Sequence, residues 1–215
     1  MSPRGQALSA EVPKRLLQIF ARYPRAGQVK TRLLTKLTPD EACAVHEALL
    51  LQTARSVANV GNADAEIWLD EIAGHTCLNA VADLGVRGPR QQAAGDLGEK
   101  MWAALSDGLA RADEVLLVGS DCPGLDQAYL NSAFKHLANA DLVIGPAEDG
   151  GYVLIGCRQL KPDVFKAIEW GESSVLQATL RALEKAELSV ALLPERYDID
   201  TPEDLFRWQK SNAAQ

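Results

Sequence analysis

Short runs of consecutive apolar residues alternate along the chain with longer segments in which apolar positions recur every three or four residues. The runs at 16–21 (LLQIFA), 65–69 (AEIWL), 115–119 (VLLVG), 141–144, 152–155 and 188–193 predict strands. The segments 39–57, 97–109, 127–137 and 172–187 predict helices, the first opened by Thr38 and carrying Ala44, Val45, Ala48, Leu49 and Ala54 as its apolar stripe. Strands that are apolar throughout, rather than on alternate positions, are buried on both faces. The expectation is therefore a doubly wound α/β fold, a parallel sheet covered by helices on each side, which binds its ligands beyond the carboxyl ends of the strands. No repeat, low-complexity tract or shift in composition divides the chain, so residues 14–215 are expected to form one domain behind a flexible N-terminal tail, 1–13.

Composition narrows the class of partner. At 215 residues, 47% hydrophobic and 24% charged, the chain has the make-up of a globular protein. Its 22 Lys and Arg against 29 Asp and Glu leave a net charge of −7, which argues against nucleic acid or an anionic membrane as the main partner. No apolar run is long enough to span a membrane. Cys43, Cys77, Cys122 and Cys157 stand far apart with no C-x-x-C pair, as expected of reduced thiols in a cytoplasmic protein. His46, His75 and His136 fall within or beside helical segments and are expected at the surface.

Against that acidic background, residues 12–39 contain no Asp or Glu but seven cations: Lys14, Arg15, Arg22, Arg25, Lys30, Arg32 and Lys36. Pro24 and Gly27 break the chain after the first strand, which sets Arg25, Lys30 and Arg32 on or beside a loop at the carboxyl edge of the sheet. Cations there suit phosphate; the competing reading is a solvated basic loop. The loop is not a P-loop, because no glycine precedes Lys30, and no G-x-G-x-x-G follows the first strand. In GSDCPGL, Asp121 ends the most apolar strand, where it either ligates a hard divalent cation or caps a turn, while Ser120 and Cys122 read as packing and turn residues. In GPAEDGGYVLIG, Gly150 and Gly151 admit close approach of a ligand. Asp149, with Glu148 as its rival, is by elimination the acid left to activate an acceptor as a general base, unless both acids only face water on a tight connection. In YDIDTPEDL, Asp198 and Asp200 alternate on an extended segment and share a face, as partners for the metal of Asp121 would. Thr201 and Pro202 then start a helix.

FARYPRAGQVKTRL, QAAGDLGEKM, LLVGSDCPGL, DLVIGPAEDGGYVLIG, the Trp170 segment and YDIDTPEDL, in this order over nearly the whole chain, resemble the bacterial DUF2064 family, also called radical-SAM/selenodomain-associated transferase 1. That family lies in the GT-A-fold nucleotide-diphospho-sugar transferase superfamily. The resemblance implies a Rossmann-like three-layer α/β sandwich around a mostly parallel, mixed central sheet. It also implies Mg²⁺ or Mn²⁺ at Asp121, completed by Asp198 or Asp200. Donor phosphates would lie on Arg22, Arg25, Lys30 and Arg32, and the nucleotide against Gly95 and Asp96. The sequence departs from the family in having Arg22 where Lys is commoner, and Gly171-Glu172 after Trp170 in place of a small hydroxyl residue. It offers Ser120-Asp121-Cys122 instead of a D-x-D, closer to the single-Asp pattern of nucleotidyltransferases. The leading expectation is a glycosyltransferase that moves a sugar from a nucleoside-diphosphate donor to a small-molecule acceptor, with Lys30 and Asp149 catalytic. The alternatives are a guanylyl- or cytidylyltransferase-like enzyme releasing pyrophosphate, and a non-catalytic nucleotide-binding protein.

Overall fold

The structure, a computed structural model, describes residues 13–213, so the expected tail lies outside the described residues except for Pro13. In chain order the strands are β1 (Arg15–Ala21), β2 (Ala63–Leu69), β3 (Arg87–Gln91), β4 (Glu114–Gly119), β5 (Leu142–Pro146), β6 (Tyr152–Cys157) and β7 (Val190–Leu192). The helices are α1 (Pro39–Ala58), α2 (Thr76–Asp83), α3 (Leu97–Leu109), α4 (Gln127–Leu137), α5 (Val175–Lys185) and α6 (Pro202–Ala213), and a 3-10 turn, Thr31–Thr35, precedes α1.

All seven strands form one sheet in the order β3-β2-β1-β4-β6-β5-β7. β6 runs antiparallel to β4 and β5, and every other pairing is parallel. The reversal follows from chain length: only residues 147–151 separate β5 from β6, too few for the crossover that a parallel neighbour needs. Successive residues of β1 point to opposite faces. Leu17, Ile19 and Ala21 pack with Leu50 and Val57 of α1, Val81 of α2 and Phe134 of α4. Leu16 and Phe20 pack on the other side with Met101 and Leu105 of α3 and Leu183 of α5. The three-layer α/β sandwich with a mostly parallel mixed sheet is thus the architecture, and both faces are buried as the unbroken apolar strands require.

Two elements differ from the sequence expectation by their presence. β3 is an edge strand, RGPRQ, with no fully buried residue, and α2 is a two-turn helix capped by His75. The last helix before β7 begins at Val175 rather than at 172.

The C-terminal segment is folded back over the strand ends. Residues 194–200 form a strap held by Arg196 N–H to Pro146 O (2.9 Å), Glu148 N–H to Arg196 O (2.9 Å) and Ile199 N–H to Asp121 O (2.9 Å). Arg196 stacks on Tyr129 at 4.4 Å, and Arg207 stacks on Tyr197 at 3.8 Å while binding Glu148 through two nitrogens. A separate apolar cluster of Leu33, Ala42, Leu49, Ile199 and Leu205 joins the strap to the 3-10 turn, α1 and α6. The strap therefore places Asp198 and Asp200 beside the end of β4.

Candidate active site

The cavity sits where strand order predicts it, beyond the carboxyl ends of β1 and β4, which are adjacent in the sheet although distant in sequence. Its volume is about 680 Å³. Arg22 and Asp121 reach it from the two strand ends, Lys30 and Arg32 from the loop and 3-10 turn, His46 from α1, Lys100 from α3 and Asp200 from the strap. A side recess of about 440 Å³ opens between Asp70, the 91–95 turn and Lys100.

Lys30 is at the centre. Its backbone is left-handed (φ 49°, ψ 41°), a conformation that costs a non-glycine residue on the order of 1–3 kcal/mol and persists where surrounding contacts impose it. Those contacts are visible. The side chain is 3% exposed, Nζ donates to Ile199 O at 2.6 Å, and the ammonium lies 2.7 Å from Asp121 Oδ1 and 3.4 Å from Asp200 Oδ1. Its charge is thus matched by two carboxylates, and it knots loop, β4 and strap together. Arg32, 74% exposed, meets Asp200 Oδ2 at 3.3 Å.

Asp121 is asymmetric. The side chain is 42% exposed, yet Oδ1 is buried, paired with the Lys30 ammonium at 2.7 Å and 3.9 Å from Nδ1 of His46. The open area therefore belongs to the other side of the carboxylate, which looks into the cavity. Burial works to raise its pKa, but the His46 ring and the Lys30 ammonium outweigh burial and hold it at about 2. Asp198 shows the reverse. Burial, then the charges of Asp121, Asp200 and Asp149, push its carboxyl up to about 7 against the pull of Lys30. Cys122 is packed rather than reactive, its thiol raised to about 12 mainly by burial.

Several residues singled out by sequence lie elsewhere. Arg25 turns away from the cavity, pairs with Glu71 at 2.5 Å and stacks on Tyr23 at 5.5 Å. Asp149 is exposed and accepts Gly151 N–H at 2.9 Å, so its carboxylate shapes its own loop instead of lining the cavity. Neither Gly150 nor Gly151 lines it; the close approach at Gly150 is made by the Ser173 carbonyl of the same chain, 2.1 Å from where a Cβ would stand. Asp96 caps α3 in a reciprocal box with Glu99, and Gly95 borders the side recess. Asp200 lines the cavity with Asp121, the two bridged by Lys30, and also meets Arg32, while Asp198 lies behind the lining; among the described residues no group of three His, Cys, Asp or Glu converges on a metal position.

Other site residues escaped the sequence reading. His46 is buried, not on the surface, and Nε2 lies 3.0 Å from the Arg22 carbonyl. It shares a helix face with Leu49, Leu50 and Thr53, a spacing that would have revealed it. Lys100 is a cavity cation with no carboxylate partner among the described residues, and so is Arg22, which the sequence reading already places on the donor phosphates. Gln92 binds the Ala21 and Trp68 carbonyls (3.2 and 3.1 Å) at the cavity wall.

Fold and family together define a transferase of the nucleotide-diphospho-sugar transferase superfamily. The chain belongs to DUF2064, described as an uncharacterized protein conserved in bacteria, whose model matches residues 53–172. It is similar over 94% of its length, at 34% identity and a TM-score of 0.84, to a crystal structure from Desulfovibrio desulfuricans G20 assigned to the nucleotide-diphospho-sugar transferases, 88% of which is covered. It is 28% identical over 185 residues, 84% of this chain and 78% of the relative, to 2-phospho-L-lactate guanylyltransferase of Methanothermobacter thermautotrophicus. A cytidylyltransferase from Leptospira borgpetersenii shares the fold at a TM-score of 0.60 and 15% identity, with 94% of this chain and 87% of that one covered. Among the described residues no helix is long and apolar enough to cross a membrane.

Proposed function

We propose that the protein is a nucleotidyltransferase: a phosphate oxygen of the acceptor attacks the α-phosphorus of a nucleoside triphosphate, the bond from that phosphorus to the β-bridging oxygen breaks, and pyrophosphate leaves. The observation that carries this reading is the charge layout of the cavity: Arg22 and Lys100 line the same space as Asp121 and have no carboxylate partner among the described residues. Unpaired cations suit a polyanionic tail. A phosphate acceptor is already ionised and needs no general base, which agrees with Asp149 being tied to its own loop. The guanylyltransferase relative supports the same reading.

The carboxylates fit a divalent cation. Asp121 turns one side into the cavity, and Asp198 carries a pKa raised first by burial and then by the neighbouring carboxylates, the second of which a cation would relieve. Asp121 with Asp198 would hold Mg²⁺ or Mn²⁺, with substrate phosphates completing the shell, as is usual for Mg²⁺. When bound, the ion neutralises charge developing on the leaving pyrophosphate. The protein's own part is to hold the triphosphate on Arg22 and Lys100, to fix Asp121 through Lys30, and to keep Asp200 on the Arg32 side. Four unpaired, buried thiols accord with a reducing, cytoplasmic setting.

The test is a panel of nucleoside triphosphates and nucleoside-diphosphate sugars with Mn²⁺, read by thermal shift and then, with phosphorylated acceptors, by product. A triphosphate is expected to raise the melting temperature more than any diphosphate sugar, turnover to release pyrophosphate, and Asp121→Ala to lose the Mn²⁺-dependent shift while staying folded. Stabilisation by diphosphate sugars alone, with nucleoside diphosphate released, returns the reading to glycosyl transfer.

A further inference from the structure

His46 is a buried polar residue on the cavity side of α1, where a leucine would pack at lower desolvation cost. Its two nitrogens meet two different parts of the site. Nε2 lies 3.0 Å from the carbonyl of Arg22, the first residue after β1, and since a carbonyl only accepts, Nε2–H donates. Nδ1 stands 3.9 Å from Asp121 Oδ1, the buried oxygen. Arg22 in turn reaches back to the Gln28 carbonyl at 3.4 Å, and Gln28 N–H donates to Arg25 O at 3.0 Å, so the loop that leads to Lys30 is closed on itself from the residue His46 holds.

We propose that His46 is a positioning residue of the phosphate side of the cavity: it pins the backbone at Arg22 through Nε2, which sets the Arg22 guanidinium in the cavity, and its Nδ1 edge walls in Asp121 Oδ1 so that the opposite oxygen is the one offered to a ligand. The consequence for ligand binding rests on the reading of the cavity as a triphosphate site. The positioning itself does not, because it is a statement about the loop in the empty protein. The two contacts are separable by substitution. A glutamine amide reaches as far as Nε2 and donates to the Arg22 carbonyl, whereas an asparagine amide reaches only as far as Nδ1.

The experiment compares His46→Gln, His46→Asn and His46→Leu with the parent by two readouts: hydrogen exchange of the amides of residues 22–30 without ligand, and the affinity of the full chain for inorganic tripolyphosphate with Mg²⁺ by calorimetry. Glutamine is expected to keep loop protection and to bind within roughly threefold of the parent, while asparagine and leucine lose protection and bind about tenfold more weakly, as removal of one hydrogen bond to a charged-site backbone predicts. A merely structural histidine would be replaced best by leucine and would not separate glutamine from asparagine. Unchanged loop exchange in the asparagine and leucine variants, or equal tripolyphosphate affinity in all three, overturns the proposal. If exchange separates the variants as expected and not even the parent binds tripolyphosphate, the positioning stands and the phosphate reading of the cavity falls.

Discussion

Arg22 and Arg25 sit three residues apart in the same basic loop, yet only one of them faces the cavity. Arg25 is held by Glu71 and the Tyr23 ring, while Arg22 lines the cavity with only a carbonyl contact. A cation already paired in a surface salt bridge has little left to give a phosphate, and one without an acid partner has its charge free. Arg22→Ala is expected to weaken binding of a nucleoside triphosphate about tenfold or more, and Arg25→Ala to leave it within about twofold, measured by calorimetry at fixed Mn²⁺. Equal losses in both would place the phosphates on the outside of the loop. The acid-free stretch made this loop legible in the sequence. What spacing could not show is the direction each side chain takes after the turn at Pro24 and Gly27, which depends on Glu71 and Tyr23 packing beyond the strand end. His46 escapes the sequence reading for a different reason: of the stripe Ala44, Val45, Ala48, Leu49 and Ala54 only Leu49 and Ala54 are buried, and the buried face of this helix runs through Ala42, Cys43, His46, Leu49, Leu50, Thr53, Ala54 and Val57.

The link between β5 and β6 shows how an element junction carries the site without touching the ligand. Gly150 has φ 89°, and a Cβ there would stand 2.1 Å from the Ser173 carbonyl, so the tight link, the 172–174 segment and the start of α5 are packed through this one glycine. Leu176 N–H donates to Gly150 O at 2.9 Å and completes the junction. Gly171 also has positive φ, 92°, but open space around it. Gly171→Ala is expected to cost about 1 kcal/mol, the strain of the left-handed region alone, and Gly150→Ala more than about 2 kcal/mol, since backbone must also move. Urea denaturation distinguishes the two, and equal costs would mean that the 172–174 segment yields freely. At this scale β1, β2, β4, β5 and β6 are readable because burial leaves a largely apolar run, and the edge strand β7 because Val190, Ala191 and Leu192 are apolar although none of them is buried. β3 and α2 are not: the edge strand RGPRQ holds no apolar run, and a two-turn helix is too short to show a period.

At the scale of the whole molecule, folding buries Asp198 and brings Asp121, Asp149 and Asp200 near it, and burial first, then the like charges, raise it to about 7. These carboxylates come from the turn after β4, the β5–β6 link and the strap, segments that meet only when the sheet is complete, and no local pattern could have told which of them stays charged. The sign of the effect follows from linkage. Asp198 binds its proton more tightly in the folded chain than in the unfolded one, so the folded state is penalised as pH rises from about 4, the unfolded value, towards 7, and the full penalty applies above 7. Asp121, lowered to about 2, behaves oppositely: its stabilisation is present above the unfolded value and fades only as pH falls towards 2. Asp198→Asn keeps the shape and removes the ionisation. The variant is expected to melt with the parent near pH 4 and above it at pH 8, by on the order of 2 kcal/mol, roughly 5 °C for a chain of this size. Addition of Mn²⁺ at pH 8 narrows the gap, because a cation beside Asp121 offsets the same repulsion in the parent and has less to offset in the variant. A variant that melts below the parent at pH 8 would show that Asp198 is charged and compensated by Lys30, and would move the crowding of charge away from the strap.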